Sequence, residues 1–277
     1  HVVALGRHLD RKEAESPVVI TSLYPGEFHD PYTMEVTLKR QDLNLRWCDA
    51  RHAMILPDPT SRIYIEEQTT PDESFDPLLE GKTQRVAMLK FGADALPSWI
   101  YGYEWESGQA WDALHPALST VAYAQNEDPP PDRLHQRIET PIDFGRVVTF
   151  NGYTTRIISG TRPSLEVLTS WTVEESPNRR LLIFTHLLSP TGELLDQADR
   201  LDAPSWQWIA DDRIVQRHQL QLPEAATCDS CTIALGLYTP DTLERLPVTT
   251  DTLSDSEGPP PTRILLPFAD SNERETP

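Results

Sequence analysis

The chain has 277 residues, enough for one large domain or two modest ones, and its 38% hydrophobic and 24% charged residues are typical of a soluble globular protein. A formal net charge of -19 argues against a nucleic-acid partner, because phosphate backbones are bound by clustered Lys and Arg side chains. The 25 prolines outnumber the 12 glycines, which favours short strands joined by rigid turns over a helical bundle.

The sequence contains no membrane-spanning pattern of its own. No stretch approaches the ~20 consecutive apolar residues that cross a bilayer, and no signal-peptide pattern opens the chain. The chain begins at His1 and not at a methionine. We therefore expect it to be part of a longer protein, whose membrane segments would lie outside these residues.

The first 125 residues alternate between helical and strand patterns. Apolar residues between Val2 and Leu9 have helical spacing, and Asp30-Pro31 predicts a helix cap followed by proline at the first helical position. Apolar runs predict strands near 18–21, 45–47, 52–56, 62–65, 85–89 and 100–103, and residues 109–118 predict a further short helix. This alternation predicts a small α/β domain over residues 1–125, with a parallel core.

The second half of the chain has an all-β pattern. Asp128-Pro129-Pro130-Pro131 is a stiff extended segment, and we predict a Pro-rich linker over residues 126–140. Strands are predicted at 147–150, 153–158, 165–173, 181–188, 194–200, 214–222, 231–238 and 263–268. The predicted fold is therefore α+β with two domains, the second an antiparallel β-sandwich of the jelly-roll or carbohydrate-binding-module type over residues 141–270, followed by a tail at 271–277.

The run from Leu181 to Leu188 is the strand around which the second domain is predicted to fold. Its alternate residues are mostly apolar on both faces. A strand of this kind lies in the middle of a sheet. We expect one face to meet an opposing sheet and the N-terminal third of the chain to cover the other.

No catalytic motif stands out in the sequence. His29-Asp30, and Asp49 with His52, come closest to acid–base pairs, but Asp30 is expected to cap a helix and His52 to open an apolar strand. The sequence has no Gly-rich phosphate loop, no HExxH and no GxSxG. We therefore predict no catalytic residue and no cofactor.

Two acidic stretches offer oxygen ligands for a hard cation such as calcium. They are Asp211-Asp212 and the segment from Asp196 to Asp202. Their spacing matches no recognised calcium loop. We therefore interpret them as solvated turns and predict no metal site.

Three tryptophans are candidates for ligand binding. Trp206 and Trp208 lie two apart on a segment predicted to be extended, so their rings point the same way and could stack on a sugar face, and Trp171 could join them. The alternative is that these rings fill the sandwich core or the contact between the domains. Both interpretations stay open here, because a sequence does not distinguish an exposed Trp from a buried one.

The three cysteines comprise an isolated Cys48 and a CxxC formed by Cys228 and Cys231. Zinc needs about four ligands, and a thioredoxin-type motif places the pair at a helix N-terminus, whereas residues 232–235 predict a strand. We interpret the pair as a local disulfide, or as two free thiols in a loop, in preference to a metal or redox site.

Short motifs along the chain resemble a known family. In the second half of the chain the motifs are Asp143-Phe144-Gly145, Asn151-Gly152-Tyr153, Leu165 to Trp171, Phe184 to Leu188 with Gly192, Gln197-Ala198-Asp199, Gly236-Leu237-Tyr238 and Glu244 to Pro247. In the first half they are Val18 to Thr21, His29-Asp30-Pro31, Asp42-Leu43, Leu45-Arg46-Trp47 and Ala53 to Leu56. Together they resemble the soluble part of bacterial membrane glycosyltransferases of the protein-mannosyltransferase-like family (family 39-type, GT-C). In that family an extracytoplasmic α/β segment follows the last membrane helix, and a β-sandwich ends the chain.

The resemblance implies a parent enzyme that transfers a sugar from a polyprenyl-phosphate donor, with its catalytic acid in a loop among membrane helices. This chain lacks that loop, so the resemblance assigns no catalytic residue to it. It implies a position on the extracytoplasmic face of the bacterial membrane. Cys228-Asp229-Ser230-Cys231 departs from the family, which usually has a Pro/Gly turn there.

Three hypotheses about function follow. The first is a non-catalytic extracytoplasmic region of a membrane glycosyltransferase-like protein that binds or positions a glycan or polypeptide acceptor. The second is a structural or protein-docking module without a ligand, in which Trp206 and Trp208 are buried between the domains. The third, a free-standing glycoside hydrolase, lacks a paired-acid signature in the sequence.

Overall fold

The computed structural model describes residues 1–11, 17–57, 59–92, 97–125, 136–223, 231–250, 253 and 259–267. These residues are mostly β, arranged in three sheets, with a few short helices. They form two compact units: unit 1 comprises residues 1–116 and 202–216, and unit 2 comprises residues 117–201 and 217–277. In the described part of the chain, no helix has the length and apolar character to cross a membrane.

These units differ from the predicted domains. Residues 117–125 belong to unit 2, and residues 136–139, predicted as linker, form one of its strands, while residues 126–135 lie outside the described residues. Residues 202–216 belong to unit 1 although the sandwich was predicted to include them. The reason is a pairing between distant segments, since Arg213 to Gln216 lie antiparallel to residues 53–56. The predicted tail at 271–277 lies outside the described residues.

Unit 1 is built on a five-stranded sheet. The helices of unit 1 are α1 (Val2–Leu9), α2 (Asp30–Thr37), α3 (Asp76–Leu79) and α4 (Ser107–Leu114). Its strands are β1 (Val18–Thr21), β2 (Leu45–Cys48), β3 (Ala53–Leu56), β4 (Ser61–Glu66), β5 (Thr83–Phe91) and β6 (Ser98–Trp105), and all of them except β3 belong to the five-stranded sheet. The strand order is β2-β1-β4-β6-β5. Strand β1 is parallel to both β2 and β4, and β6 is antiparallel to β4 and β5.

The core of unit 1 brings α1 and α2 together with this sheet. Leu5 and Leu9 of α1 and Met34 of α2 are buried in one cluster with Ile20 of β1 and Tyr64 of β4. The helical spacing of Leu5 and Leu9 places both side chains on one face of α1, and that face is the buried one.

Unit 2 contains two sheets. Its strands are β7 (Val121–Gln125), β8 (Gln136–Glu139), β9 (Ile142–Phe144), β10 (Val148–Ile158), β11 (Ser164–Val173), β12 (Leu182–Leu188), β13 (Leu194–Arg200), β14 (Arg213–Gln221), β15 (Thr232–Tyr238), β16 (Val248–Thr249) and β17 (Arg263–Pro267). One sheet contains the order β16-β9-β10-β11-β14, and the other has the order β13-β12-β15-β17-β7-β8. Strand β14 begins in unit 1, where its first residues pair with β3, and ends in unit 2.

The central strand is found where the sequence predicted it. Strand β12 pairs antiparallel with β13 on one side and β15 on the other. The two sheets of unit 2 are joined by a hydrogen bond of 2.9 Å, which the Tyr153 hydroxyl in β10 donates to the Pro267 carbonyl oxygen in β17. This arrangement is consistent with a β-sandwich.

The strands predicted at 147–150 and 153–158 form one continuous strand, β10. A β-bulge between Phe150 and Gly152 replaces the expected break. Gly152 has φ of +142°, and a Cβ there would lie 2.8 Å from the carbonyl oxygen of Ser119. The glycine therefore allows another chain segment to approach β10 closely, and does not mark a turn.

Candidate functional site

Two of the three tryptophans proposed to bind a sugar are core residues. Trp171 in unit 2 is 1% exposed, and its indole N–H donates to the Thr169 hydroxyl at 2.9 Å. Trp208 in unit 1 is 3% exposed, and its indole N–H donates to the Ala203 carbonyl oxygen at 2.9 Å. Of the two interpretations left open by the sequence, the burial of Trp171 and Trp208 agrees with rings that fill a core and not with rings that face a ligand.

The local backbone explains the error at Trp208. Residues Ser205–Gln207 form a 3₁₀-helix, not the extended segment that the prediction assumed. Trp206 lies within this helix, whereas Trp208 is its C-cap and has an extended backbone, so the alternation of a strand does not relate their side chains. Trp206 and Trp208 therefore lie in different environments.

Trp206 lies in a cleft of unit 1 with a volume of about 290 Å³. The cleft is lined by aromatic, aliphatic and polar side chains, namely Trp47 and Trp206, then Pro31, Leu38, Leu43 and Leu45, and then Glu27, Glu35, Arg40 and Gln41. Its volume is close to the ~300 Å³ at the lower end of small-molecule sites. We call it the Trp206 cleft.

Gln207 holds the Trp206 segment against the edge of the sheet. Strand β2 is an edge strand, and the Gln207 side chain pairs with both backbone groups of Trp47, accepting from its N–H and donating to its carbonyl oxygen at 2.6 Å. The side-chain amide thus completes the ladder as a neighbouring strand would. Trp206 is positioned beside Trp47 as a result.

The carboxylate that follows α1 positions the segment of the cleft that contains Arg40. Asp10, the C-cap of α1, accepts backbone hydrogen bonds from Lys39 at 2.9 Å and Arg40 at 3.1 Å. The Arg40 guanidinium is held by Asp42, with Nε 2.9 Å from one carboxylate oxygen. The cleft therefore combines the Trp206 ring with the Arg40 guanidinium, and the Arg40 backbone is fixed by Asp10.

A second polar cluster lies near the carboxyl ends of β1 and β4. Asp30 accepts a hydrogen bond of 2.5 Å from the Ser22 hydroxyl and lies 3.2 Å from Nε2 of His1. The other ring nitrogen of His1 is 3.6 Å from Glu66. The hydrogen bond to Asp30 raises the pKa of His1, whereas burial raises the pKa of the Glu66 carboxyl.

This cluster has little space for a substrate. The adjoining cavity is about 10 Å³, which is about the volume that one water needs. Asp30 is not the helix cap that the sequence predicted, since His29 occupies that position without a capping side-chain bond and Asp30 binds His1 and Ser22. His1, Asp30 and Glu66 therefore lie close together, but the cavity beside them is too small for a substrate.

Two other candidate acids, Asp49 and Asp212, bind arginines. Asp49 accepts from Arg51 at 2.9 and 2.6 Å. Asp212, predicted to lie in a solvated turn, is instead buried and bound by Nε of Arg46 at 2.6 Å. Sequence reasoning missed this pair because 166 positions separate its members. Within the described ranges, no group of three or more His, Cys, Asp and Glu side chains is arranged to hold a metal ion.

A larger polar cavity of unit 1 was not anticipated from the sequence. It has a volume of about 440 Å³ and lies where β4 and β5 begin and β6 ends. Arg62 and Lys82 line it together with Glu104 and Glu106, and Arg62 lies 3.4 Å from Glu104. Two cations and two carboxylates leave it without a net charge.

The cysteines fall into two chemical states. Cys231 is disulfide-bonded, and Cys228, its predicted partner, lies outside the described residues. Cys48 is a buried free thiol, and burial raises its pKa to about 12. A thiol of that kind is unreactive in the folded protein.

Comparison with known proteins gives no relative by sequence. No family model matches the chain, and no curated protein matches it. Among solved structures it is similar to a Bacteroides uniformis β-glucuronidase, with 11% identity, a TM-score of 0.28 and coverage of 69% of this chain and 26% of that chain. It is also similar to a β-glucuronidase from glycoside hydrolase family 2, with 10% identity, a TM-score of 0.24 and coverage of 68% and 22%. The chain thus spans about a quarter of these enzymes, and similarities this low decide neither its fold nor its activity.

Proposed function

We propose that this chain is a non-catalytic, extracytoplasmic region of a bacterial membrane glycosyltransferase-like protein, and that it binds or positions a glycan or polypeptide acceptor. In this proposal unit 1 is a small α/β domain and unit 2 a β-sandwich of the jelly-roll or carbohydrate-binding-module type. Membrane attachment would come from segments outside the chain. The order of the motifs from Val18 to Pro247 supports this assignment.

The Trp206 cleft is the observation on which the binding role depends. Sugars present an apolar face to aromatic rings and hydroxyls to planar polar groups, and Trp206 lies in one cleft with Glu35, Arg40 and Gln41. Trp47 is buried, so it supports the cleft, and Trp206 is the partly exposed ring.

The acids around His1 do not have the arrangement of a glycosidase site. A retaining glycosidase places two carboxyl groups about 5 Å apart on either side of a bound sugar. Asp30 and Glu66 instead both contact His1, beside a cavity of about 10 Å³. No sugar ring fits there.

Titration of the chain with a panel of oligosaccharides, followed by Trp fluorescence, tests the glycan-binding role. Trp206→Ala should weaken binding at least about tenfold, since each ~1.4 kcal/mol of lost interaction is tenfold in affinity. Trp206→Phe retains an aromatic face and serves as the matched variant, which should bind more tightly than Trp206→Ala.

Two outcomes would contradict this proposal. Equal glycan affinity of the wild type and Trp206→Ala would show that the cleft is not the binding site. Turnover of chromogenic glycosides by the purified chain would show that the region is a hydrolase.

A further inference from the structure

Helix α2 and the turn before it expose four large apolar side chains. Tyr24, Phe28, Tyr32 and Val36 are 60%, 71%, 55% and 64% exposed. Single exposed apolar residues are ordinary, but a contiguous group of them marks an interaction site. We call these four residues the α2 apolar surface.

Each of these residues lies four positions after the previous one along a single segment. Tyr32 and Val36 are neighbours on α2, because side chains at i and i+4 lie on the same helix face. Phe28 lies one helical turn earlier, in the turn where the His29 N–H donates to the Gly26 carbonyl oxygen at 3.0 Å. The Tyr24 ring is 6.1 Å from the ring of His29, which places it beside the same turn.

This surface is additional to the face of α2 that the fold buries. Pro31, Met34 and Leu38 are buried beneath the helix. A surface helix ordinarily has polar side chains on its outer face, whereas α2 has Tyr32 and Val36 there. The outer face of α2 is therefore more apolar than folding of unit 1 requires, which is typical of a surface that binds a partner.

The charges around the surface determine what kind of partner fits. Residues 24–38 contain three acids, Glu27, Asp30 and Glu35, and no Lys or Arg. The nearby Arg40, which lines the Trp206 cleft with Glu27 and Glu35, is bound by Asp42. Glu27 and Glu35 are exposed and also line the Trp206 cleft. Anionic lipid headgroups are a poor match, because these carboxylates and the net charge of -19 repel them.

We infer that the α2 apolar surface is a docking site for a polypeptide segment that is both apolar and basic. Apolar side chains of the partner pack on Tyr32 and Val36, and its Lys or Arg side chains meet the exposed Glu35 at the rim of the Trp206 cleft. This inference names polypeptide as the partner class within the proposed function. It does not depend on glycan binding.

The test uses a fluorescently labelled amphipathic Leu/Lys peptide, and a Leu/Glu peptide of the same pattern as the charge control. The full chain should bind the Leu/Lys peptide in a polarisation titration and should not bind the Leu/Glu peptide. The double variant Tyr32→Ser/Val36→Ser should bind the Leu/Lys peptide at least about tenfold more weakly, because the apolar contact is lost while the charge is unchanged.

A matched control separates this surface from general attraction to an acidic protein. Val86→Ser/Met88→Ser removes two exposed apolar side chains from the edge strand β5 and also leaves the charge unchanged. It should bind the peptide as the wild type does. Glu35→Gln should weaken binding and reduce its sensitivity to salt.

Three results would overturn the inference. The first is that the wild type does not bind the Leu/Lys peptide, and the second is that both serine double variants lose the same amount of affinity for it. The third is that the wild type sediments with phosphatidylcholine vesicles and Tyr32→Ser/Val36→Ser does not. The last result would identify a membrane surface as the partner. The glycan titration with Trp206→Ala is independent, so each proposal can fail alone.

Discussion

At the scale of single residues, Phe184 shows how β12 depends on its cross-strand neighbour. The ring is 1% exposed and lies over Gly236, where a Cβ would be 2.5 Å from the ring. The Arg245 guanidinium lies 4.4 Å from the ring centroid. Glycine at 236 therefore provides the space that the aromatic ring fills, and the two positions form one packing unit.

Replacing Phe184 by Ala should lower the free energy of unfolding of unit 2 by about 3–5 kcal/mol, through lost burial and the cavity left behind. Urea denaturation measures the change. The control is Leu194→Ala in the neighbouring strand β13, where the side chain is exposed and the expected change is about 0.5 kcal/mol or less. Equal midpoints for wild type and Phe184→Ala would show that the ring contributes nothing to stability.

At the scale of secondary-structure elements, the edge of the unit 1 sheet is closed by a side chain. Gln207 bonds both backbone groups of Trp47, where an edge strand would otherwise leave them without partners from a neighbouring strand. The same contacts set the position of Trp206. The cleft and the sheet edge are therefore stabilised by one residue.

Gln207→Ala should destabilise unit 1 by about 1–3 kcal/mol, because a buried N–H and a buried carbonyl group of Trp47 lose their partners. It should also shift the Trp emission maximum to longer wavelength as Trp206 becomes more exposed. Gln41→Ala, at an exposed glutamine lining the same cleft, should leave both measurements unchanged. If Gln207→Ala had the same stability and the same emission maximum as the wild type, water would be replacing the amide without a loss of free energy of unfolding.

At the scale of the whole molecule, stability in acid combines two opposing effects. Protonation of carboxylates reduces the net charge of -19 and with it the repulsion within the chain. His218 acts in the opposite direction. Its ring is fully buried, and burial together with the charge of Arg200 lowers its pKa from 6.5 to about 3.

Because the folded pKa of His218 is lower, the unfolded chain binds one more proton than the folded chain between pH 6.5 and about 3. His218 therefore reduces stability progressively as the pH falls from 6.5, by about 1.4 kcal/mol per pH unit. Urea denaturation of the wild type and His218→Gln across this range should show the wild type losing stability faster. Parallel pH profiles would mean that His218 is protonated in the folded state.

Most strand positions follow from the sequence by itself. Leu194–Arg200 and Val18–Thr21 have the predicted bounds, and β12 is the central strand that its apolar faces predicted. A strand is set by side chains two positions apart and by the turns that end it, so its signal is contained in a short window of residues.

The environment of particular side chains was decided only by tertiary structure. The ring of Trp171 is buried, Trp206 lies in a 3₁₀-helix that Trp208 follows, and Arg46 reaches Asp212 across 166 positions. Whether a ring faces a core or a ligand, and whether an acid meets an arginine or water, depends on segments that are distant in sequence and adjacent in space. A short window of sequence contains no information about those neighbours, so the Trp206 cleft and the α2 apolar surface were visible only in the folded chain.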